Sequence, residues 1–370
     1  MEIRIYRYAE NRLIRIGLTN VATGHYTRSR YEPGKFELSM PAAAPFALEF
    51  LPDSLVLIDR DYWGIITGRK ISSGSDNTIS ITGSELTELL SRRVIVPDNA
   101  VTENKPMGYD SVSGSTEAVI KHYVSRHAAA PDNPARKLPM LEIAPNEERG
   151  TSDDAYTARY SGLMDTLSII AKRGNLGLHI RVDERTGKMV FDVSAQLDRT
   201  AGQSSNRPLL LEVSRHNLES SSYTEEYGQS NNAFYCSRSG DEFAWETLTQ
   251  TYFSGDEEPK GMSRRERSLS ISVYDEGNQY EQLEKNARKE MMNYTPARAL
   301  TCVMARTMVY GKDYRIGDVA TVIDRVAGMQ ADMEITAVDT SCTAESTSYV
   351  ATFGTPQLSV FQKINREMRR

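Results

Sequence analysis

The chain has 370 residues, a formal net charge of −6 and 39% hydrophobic residues. At about 150 residues per domain, this length predicts two to four domains, each able to bury a core. The negative charge argues against a protein that grips nucleic-acid phosphates, and no apolar run reaches the roughly 20 residues of a membrane span. Four arginines within residues 1–18 also argue against a signal peptide, so no membrane anchor is expected.

The first 83 residues consist mainly of short apolar or alternating segments separated by Gly, Pro, Ser and Asn clusters, which is typical of strands. An antiparallel meander or barrel is therefore expected. A continuous apolar run at residues 55–58 is typical of a strand covered on both faces. The predicted strands are residues 2–8, 12–18, 35–40, 54–59, 62–71 and 78–82.

One of these strands, at residues 35–40, alternates with period two. Phe36, Leu38 and Met40 are predicted to share the buried face. The other face carries Lys35, Glu37 and Ser39. Pro33-Gly34 predicts the preceding turn, and Pro41 ends the strand.

The first domain is expected to end in a short helix, and residues 96–205 then change to a mixed helical pattern. Gly83-Ser84 is predicted to open a short helix that ends near Arg92 and Arg93, where the helix dipole favours positive charge. Two further helices follow, one after Gly114-Ser115 and one ending at residues 172–174. A β-hairpin pairs residues 178–182 with residues 189–193. Residues 96–205 are therefore expected to be an α+β unit.

Strands return after residue 205, interrupted by one long helix at about residues 275–293. We predict a β-rich α+β fold with two β-barrel-like domains, an α+β insertion domain and a long helix near the second barrel. The first barrel-like domain is expected at 1–95, the insertion domain at 96–205, the second barrel-like domain at 206–357, and a tail or short helix at 358–370.

Cys236, Cys302 and Cys342 form no Cys-x-x-Cys pair and are expected to be reduced core or strand residues, with one disulfide as the alternative.

No motif for chemistry emerges from the sequence. The five histidines form no His-Glu-x-x-His pattern, and we expect His122 and His127 to lie on different faces of a helix, which disfavours a shared metal. Neither a nucleotide-binding glycine loop nor a nucleophile elbow occurs. Adjacent acids such as Glu225-Glu226 point in opposite directions on a strand. We therefore predict no catalytic, cofactor-binding or metal-binding residues.

A series of motifs covering nearly the whole chain resembles siphophage tail hub proteins. That family in turn is similar to the baseplate hub protein of T-even phages. The motifs are RYEPGKFELSMP (residues 30–41), WGII (63–66), ISITGSELTELLSRR (79–93), GSTEAVIKHYV (114–124), IAPN (143–146), FDV (191–193), DRTAGQ (198–203), DYRIGDVATV (313–322) and ATFG (351–354).

The resemblance implies a structural virion protein of the tail tip, made in the bacterial host cytoplasm. Three copies would form a ring of six barrels around a central channel through which DNA passes without specific binding. The ring would adapt a hexameric tail tube, or a ring of distal tail protein, to a threefold spike or fibre, with the tape-measure protein as a further partner. Closed rings also hide barrel edges.

Within such a ring, six residues are candidates for subunit interfaces. Lys35 and Glu37 face solvent, a neighbour or the channel. Arg92 and Arg93 either cap a helix end in water or form intersubunit salt bridges. Arg264 and Arg265 either lie in a solvated, internally paired loop or contact an acidic neighbour.

Two other functional classes stay open at this stage. A saccharide-binding tail module would use exposed tyrosines and the two tryptophans, Trp63 and Trp245, although Trp63 lies in a strand motif and is expected to be packed. A wall-degrading enzyme is the third and least favoured reading.

Overall fold

The structure, a computed structural model, describes residues 1–9, 12–74, 77–97, 108–152, 154–239, 248–273, 278–343 and 346–354. Two compact units are present. The first comprises Met1–Ser221 and Thr301–Phe353, and the second comprises Ser222–Leu300 and Gly354–Arg370. Trp245, residues 275–277 and the predicted tail at 358–370 lie outside the described residues.

The N-terminal part of the first unit is built from antiparallel strands, as predicted. A short helix follows them. The elements are β1 (Glu2–Ala9), β2 (Arg12–Asn20), β3 (Thr23–Ser29), β4 (Lys35–Pro41), β5 (Leu55–Ile58), β6 (Tyr62–Ser72), β7 (Thr78–Glu85) and helix α1 (Glu88–Ser91).

Two details of this region differ from the sequence-based expectation. Strand β3 was not predicted, because among its residues only Tyr26 is a large apolar side chain. The helix predicted to open at Gly83-Ser84 begins instead at Glu88. Gly83 and Ser84 pair with Phe36 and Lys35 of β4, so sheet pairing prevails over the local helix signal.

The two helices and the β-hairpin predicted between residues 96 and 205 are confirmed. A π-helical turn at Ser125–Ala129 extends the first of these helices. The elements are β8 (Asp110–Gly114), α2 (Thr116–Val124), β9 (Leu141–Ile143), β10 (Asp154–Ala158), α3 (Leu163–Gly174), β11 (Gly177–Val182) and β12 (Met189–Ser194). Two short strands follow them, β13 (Leu197–Arg199) and β14 (Leu210–Leu211).

The remaining strands include the predicted C-terminal ones and a small sheet with one long helix. They are β15 (Leu218–Glu226), β16 (Ala233–Arg238), β17 (Thr249–Phe253), β18 (Glu266–Ile271), α4 (Gln279–Met291), β19 (Ala297–Met304), β20 (Asp318–Asp324), β21 (Met329–Cys342) and β22 (Thr347–Gly354).

One large sheet has the strand order β15-β19-β22-β21-β3-β4-β7-β6-β5-β1-β2, and β20 pairs with β21, β13 and β14. The pairing of β21 with β3 runs from Ala337↔Ser29 to Cys342↔Gly24. The unpredicted strand β3 therefore joins the N-terminal and C-terminal strands. Within the described residues, the two ends of this path do not pair with each other.

Strand β5 is buried on both faces, as its apolar run predicted. Leu55 and Leu57 belong to a core that includes helices α2 and α3, whereas Val56 and Ile58 belong to a core on the opposite face. That second core also contains Phe36, Leu38 and Met40, so the predicted alternation of β4 is confirmed. The α+β elements thus pack on one face of the N-terminal sheet.

In the second unit, α4 packs on the sheet β17-β16-β18 through Leu283, Ala287 and Met291.

Cys236, Cys302 and Cys342 are all buried in strands as free thiols, and burial raises the pKa of Cys236 to about 11. Among the described residues, none of the helices has the length and apolar character needed to cross a membrane.

Candidate functional site

Arg30 joins three sequence-distant segments of the first unit. Its side chain is completely buried. Nη2 donates hydrogen bonds to the carbonyl oxygens of Asn175 (2.8 Å) and Ser194 (3.2 Å), which flank the β11–β12 hairpin. Nε lies 2.5 Å from Oε1 of Glu334 on β21, in an ion pair whose N–H is not aligned as a hydrogen bond. Arg30 therefore holds the N-terminal strands, the α+β part and the C-terminal strands together.

The backbone around Arg30 reinforces this junction. Arg30 N donates to Thr336 O (3.0 Å), and Leu178 N donates to Arg30 O (2.9 Å). The hydroxyl of Tyr31 donates to Oε2 of Glu334 (2.6 Å), so both carboxylate oxygens have a partner from the same dipeptide. The residue order Arg-Tyr at the start of the first motif is therefore explained by its contact with β21.

Gly317, in the last long motif, leaves the space that Arg30 occupies. Its φ is +89°, a conformation that favours glycine, and a Cβ at this position would overlap Nη1 of Arg30. The next residue, Asp318, is buried and accepts hydrogen bonds from Arg199 Nη1 (2.7 Å) and Arg315 N (3.0 Å). Motifs that are far apart in sequence thus contact each other.

We predict that Gly317→Ala lowers the free energy of unfolding by about 2–4 kcal/mol, because it adds backbone strain to a clash with Arg30. Gly311→Ala is the matched control. Gly311 also has a positive φ, +85°, but open space lies where its Cβ would be, so only the conformational cost of about 1–2 kcal/mol is expected. Urea denaturation measures both; equal losses would contradict the role assigned to the Arg30 contact.

A polar cavity of about 250 Å³ lies beside this junction. Arg28 contributes to its wall; the guanidinium stacks over the rings of Tyr26, Tyr62 and Tyr310 at 4.7–5.5 Å and forms an ion pair with Asp61 at 2.6 Å. Within the described residues, the buried Tyr62 hydroxyl has no hydrogen-bond partner. Trp63 also lines this cavity and packs against Tyr6, with ring centroids 5.0 Å apart.

Among the groups that line this cavity, Glu85 and His179 have pKa shifts that affect stability between pH 4 and pH 7. Burial raises the pKa of Glu85 to about 7, although the N–H groups of Gly34 (2.9 Å) and Ser29 (3.4 Å) donate to it and favour the charged form. Burial lowers the pKa of His179 to about 4. The two shifts affect stability in opposite directions between pH 4 and pH 7.

His179 gives a prediction for the pH dependence of stability. Because its folded pKa lies below its unfolded value of about 6.5, its contribution is complete above pH 6.5 and is lost as pH falls towards 4. Between pH 7.5 and pH 4, His179→Gln is therefore expected to lose about 3 kcal/mol less unfolding free energy than the wild type. The contribution of Glu85 cancels in this comparison. Parallel pH profiles of the two proteins would contradict the assignment.

A buried ion-pair network ties α2 to β12. Glu117 is fully buried and lies 2.5 Å from Lys121 Nζ and 2.7 Å from Arg149 Nη2. Asp192 completes the network at 3.0 Å from Lys121 and 2.7 Å from Arg149. Lys121 also donates to the carbonyl of Pro145 (2.7 Å). The motifs at residues 114–124, 143–146 and 191–193 thus meet in this network.

The expectation that His122 and His127 lie on different faces of a helix was wrong. Nε2 of His122 lies 2.9 Å from Oδ1 of Asp110, and Nε2 of His127 lies 2.8 Å from Oδ2. The π-helical turn widens the helix at this point, so residues five apart approach one carboxylate. In the part of the chain that the structure describes, no group of three or more side chains is arranged to hold a metal ion.

The predicted interface residues occupy different surroundings. Lys35 and Glu37 are exposed on β4, opposite Ser84 and Thr82 of β7. Arg92 forms an ion pair with Asp53 at 2.6 Å, and Arg93 Nε donates to the carbonyl of Arg136 (2.8 Å). The arginine pair therefore anchors α1 within its own chain.

In the second unit, Arg264 lies 2.7 Å from Glu258 and 2.5 Å from Glu266, and its Nη2 donates to the hydroxyl of Tyr235 (3.0 Å). Arg265 stacks over Tyr227 at 5.2 Å. Arg264 thus has the internal pairing expected of this charged segment.

Sequence reasoning missed Arg30, Glu334 and Asp110. Arg30 is the first residue of the first motif. Its place beside a turn that precedes a half-buried strand was the one feature that could have indicated a structural role. Glu334 lies in a strand with no distinguishing pattern, so no local signal pointed to its contacts with Arg30 and Tyr31.

The model of the siphovirus ReqiPepy6 Gp37-like protein family matches residues 2–355. The chain belongs to this family. No curated protein sequence matches it.

Three solved structures share the fold of this Gp37-like protein. The 43 kDa tail protein of prophage MuSo2 from Shewanella oneidensis has 16% identity and a TM-score of 0.57, covering 96% of this chain and 99% of that one. A tail protein from Neisseria meningitidis MC58 has 14% identity and a TM-score of 0.57, covering 95% and 96%. Prophage tail protein gp18 from Listeria monocytogenes EGD-e has 12% identity and a TM-score of 0.51, covering 100% and 99%.

Proposed function

We propose that this Gp37-like protein is a non-enzymatic structural hub at the distal end of a phage or prophage tail. Three copies form a ring that adapts the hexameric tail tube to a threefold spike or fibre. Each copy contributes two barrel-like domains, at residues 1–95 and 206–357, which bracket the α+β domain at 96–205. The tape-measure protein and then the DNA pass through the central channel.

The observation that carries this proposal is the fold shared with prophage tail proteins over at least 95% of the chain. The surroundings of the motif residues agree with it. Arg30, Gly317, Glu117 and Asp192 all contribute to contacts that hold the first unit together. The motifs that contain these four residues are therefore explained by a structural role within the first unit.

We further propose that the polar face of β3, β4 and β7 lines the channel. In the strand register, His25, Glu37 and Thr82 lie side by side across β3, β4 and β7. Thr23, Ser39 and Ser80 form the next row. Hydroxyl groups dominate, and Lys35 balances the charge of Glu37. A nearly neutral wall suits passage of DNA because it does not retain phosphates.

Cryo-EM of assembled tails tests both proposals. We expect three copies at the tail tip, with the face that carries Lys35 and Glu37 towards the lumen. A single copy per tail would refute the ring, and a strongly basic lumen would refute the channel wall. Mass measurement of the purified chain tests whether trimers form without other tail proteins.

A further inference from the structure

Residues 67–72, the second half of β6, form an open sheet edge. The first half of β6 pairs with β5, from Tyr62↔Ile58 to Ile65↔Leu55. The second half pairs with β7 alone, from Gly68↔Thr82 to Ser72↔Thr78. On the side away from β7, no other described strand pairs with this segment. Its backbone groups on that side are therefore available to another strand.

The side chains of this edge are basic and exposed. Arg69 and Lys70 both face solvent, and Ile71 is 48% exposed. No acidic residue occurs in residues 67–72. Proline is absent as well, although natural proteins often use it to block an exposed edge.

Strand β15 offers an edge of opposite charge. It is the last strand of the sheet order and pairs only with β19 among the described strands. Glu219 and Ser220 are exposed on it. Its sequence, LESSSYTEE, contains three glutamates and no basic residue. Opposite charges on neighbouring strands favour pairing.

The other terminal strand, β2, is a weaker candidate for pairing. Its exposed Arg12 and Arg15 are also basic, but the β11–β12 turn reaches it. Gly187 lies in this turn, and a Cβ added to it would lie 3.2 Å from the backbone nitrogen of Leu13 on β2. The Tyr8 hydroxyl also donates a hydrogen bond to the Gly187 carbonyl. Part of β2 is thus already covered.

We propose that neighbouring copies of this chain join edge to edge, with residues 67–72 of one copy pairing with β15 of the next in the register that sets Lys70 beside Glu219. This inference rests on the proposed ring and names the surfaces that close it. The contact is head to tail, so three copies related by a threefold axis satisfy every such edge. Pairing also removes open edges that would otherwise template aggregation.

Charge reversal tests the proposal on the purified full-length chain. Lys70→Glu and Glu219→Lys each place like charges across the edge, and we expect each to raise the trimer dissociation constant at least tenfold. The double variant restores opposite charges and should recover most of the affinity. Arg15→Glu on β2 is the matched control and should leave the constant unchanged. Circular dichroism should show that all four variants keep the wild-type fold.

Cross-linking gives a second readout. Oxidation of the Lys70→Cys/Glu219→Cys variant should produce covalent dimers and trimers, because the three native cysteines are buried. The Arg15→Cys/Glu219→Cys variant should produce none. A single copy in assembled tails would overturn the ring itself, and a monomeric purified wild type would overturn the proposal that this edge contact closes it. A trimeric wild type that tolerates Lys70→Glu and gives no cross-link between positions 70 and 219 would overturn only the edge assignment.

Discussion

Replacing Glu117 with alanine is expected to lower the free energy of unfolding by about 3–5 kcal/mol. The substitution leaves Lys121 and Arg149 without the carboxylate that both contact, and breaking a buried ion pair from one side has this magnitude. Urea denaturation at pH 7 measures the loss. Glu147→Ala is the control: Glu147 is exposed and lies 3.7 Å from the same Arg149, so a change below about 1 kcal/mol is expected.

The loss on Glu117→Ala should also depend on pH. Burial acts to raise the pKa of Glu117, but the hydrogen bonds from Arg149 and Lys121 outweigh it and lower the pKa to about 2. A carboxyl with a depressed folded pKa stabilises the protein above its unfolded value of about 4.5, and this contribution is lost as pH falls through 2. The difference between wild type and variant should therefore shrink below pH 4.5. A difference independent of pH would show that the network acts through packing alone.

Arg30→Leu is expected to have a similar effect, a loss of about 3–5 kcal/mol. It leaves the carboxylate of Glu334 without its cation and the carbonyls of Asn175 and Ser194 without their donor. Thermal and urea unfolding measure the loss.

The exposed ion pair between Lys172 and Glu32, at 2.6 Å, provides the control for Arg30. This pair also joins the N-terminal strands to the α+β part. Lys172→Ala should lower the free energy of unfolding by less than about 1 kcal/mol, because solvent screens this exposed ion pair. Equal losses for the two variants would contradict the assignment of Arg30 as the junction.

The sequence predicted those elements whose pattern is local. The period-two alternation of β4 and the apolar run of β5 were both confirmed, because burial on one face or on two leaves a direct trace in residue order. Strand β3 left no such trace. Its register depends on partners on both sides, β4 and β21, and the latter lies about 300 residues away in sequence.

The candidate site shows the same difference between local features, which the sequence predicts, and long-range contacts, which it does not. The motifs indicated a tail-protein family, but the contacts that connect them are long-range. The space beside Gly317 is filled by the Arg30 guanidinium, which also forms the ion pair with Glu334, and no local pattern in the sequence connects these three residues. The approach of His122 and His127 to Asp110 depends on a π-helical turn, which helical periodicity of 3.6 residues does not anticipate.

The pairing of β3 with β21 has a consequence for biosynthesis. Ser29 leaves the ribosome long before its partner Ala337, and at about 5–20 residues per second the interval is roughly 15–60 s. During this time the N-terminal strands present an unsatisfied edge at β3. Such non-local pairing slows folding and exposes nascent chains to misassembly. Ribosome-bound chains shorter than about 340 residues are therefore expected to be the species most in need of a chaperone.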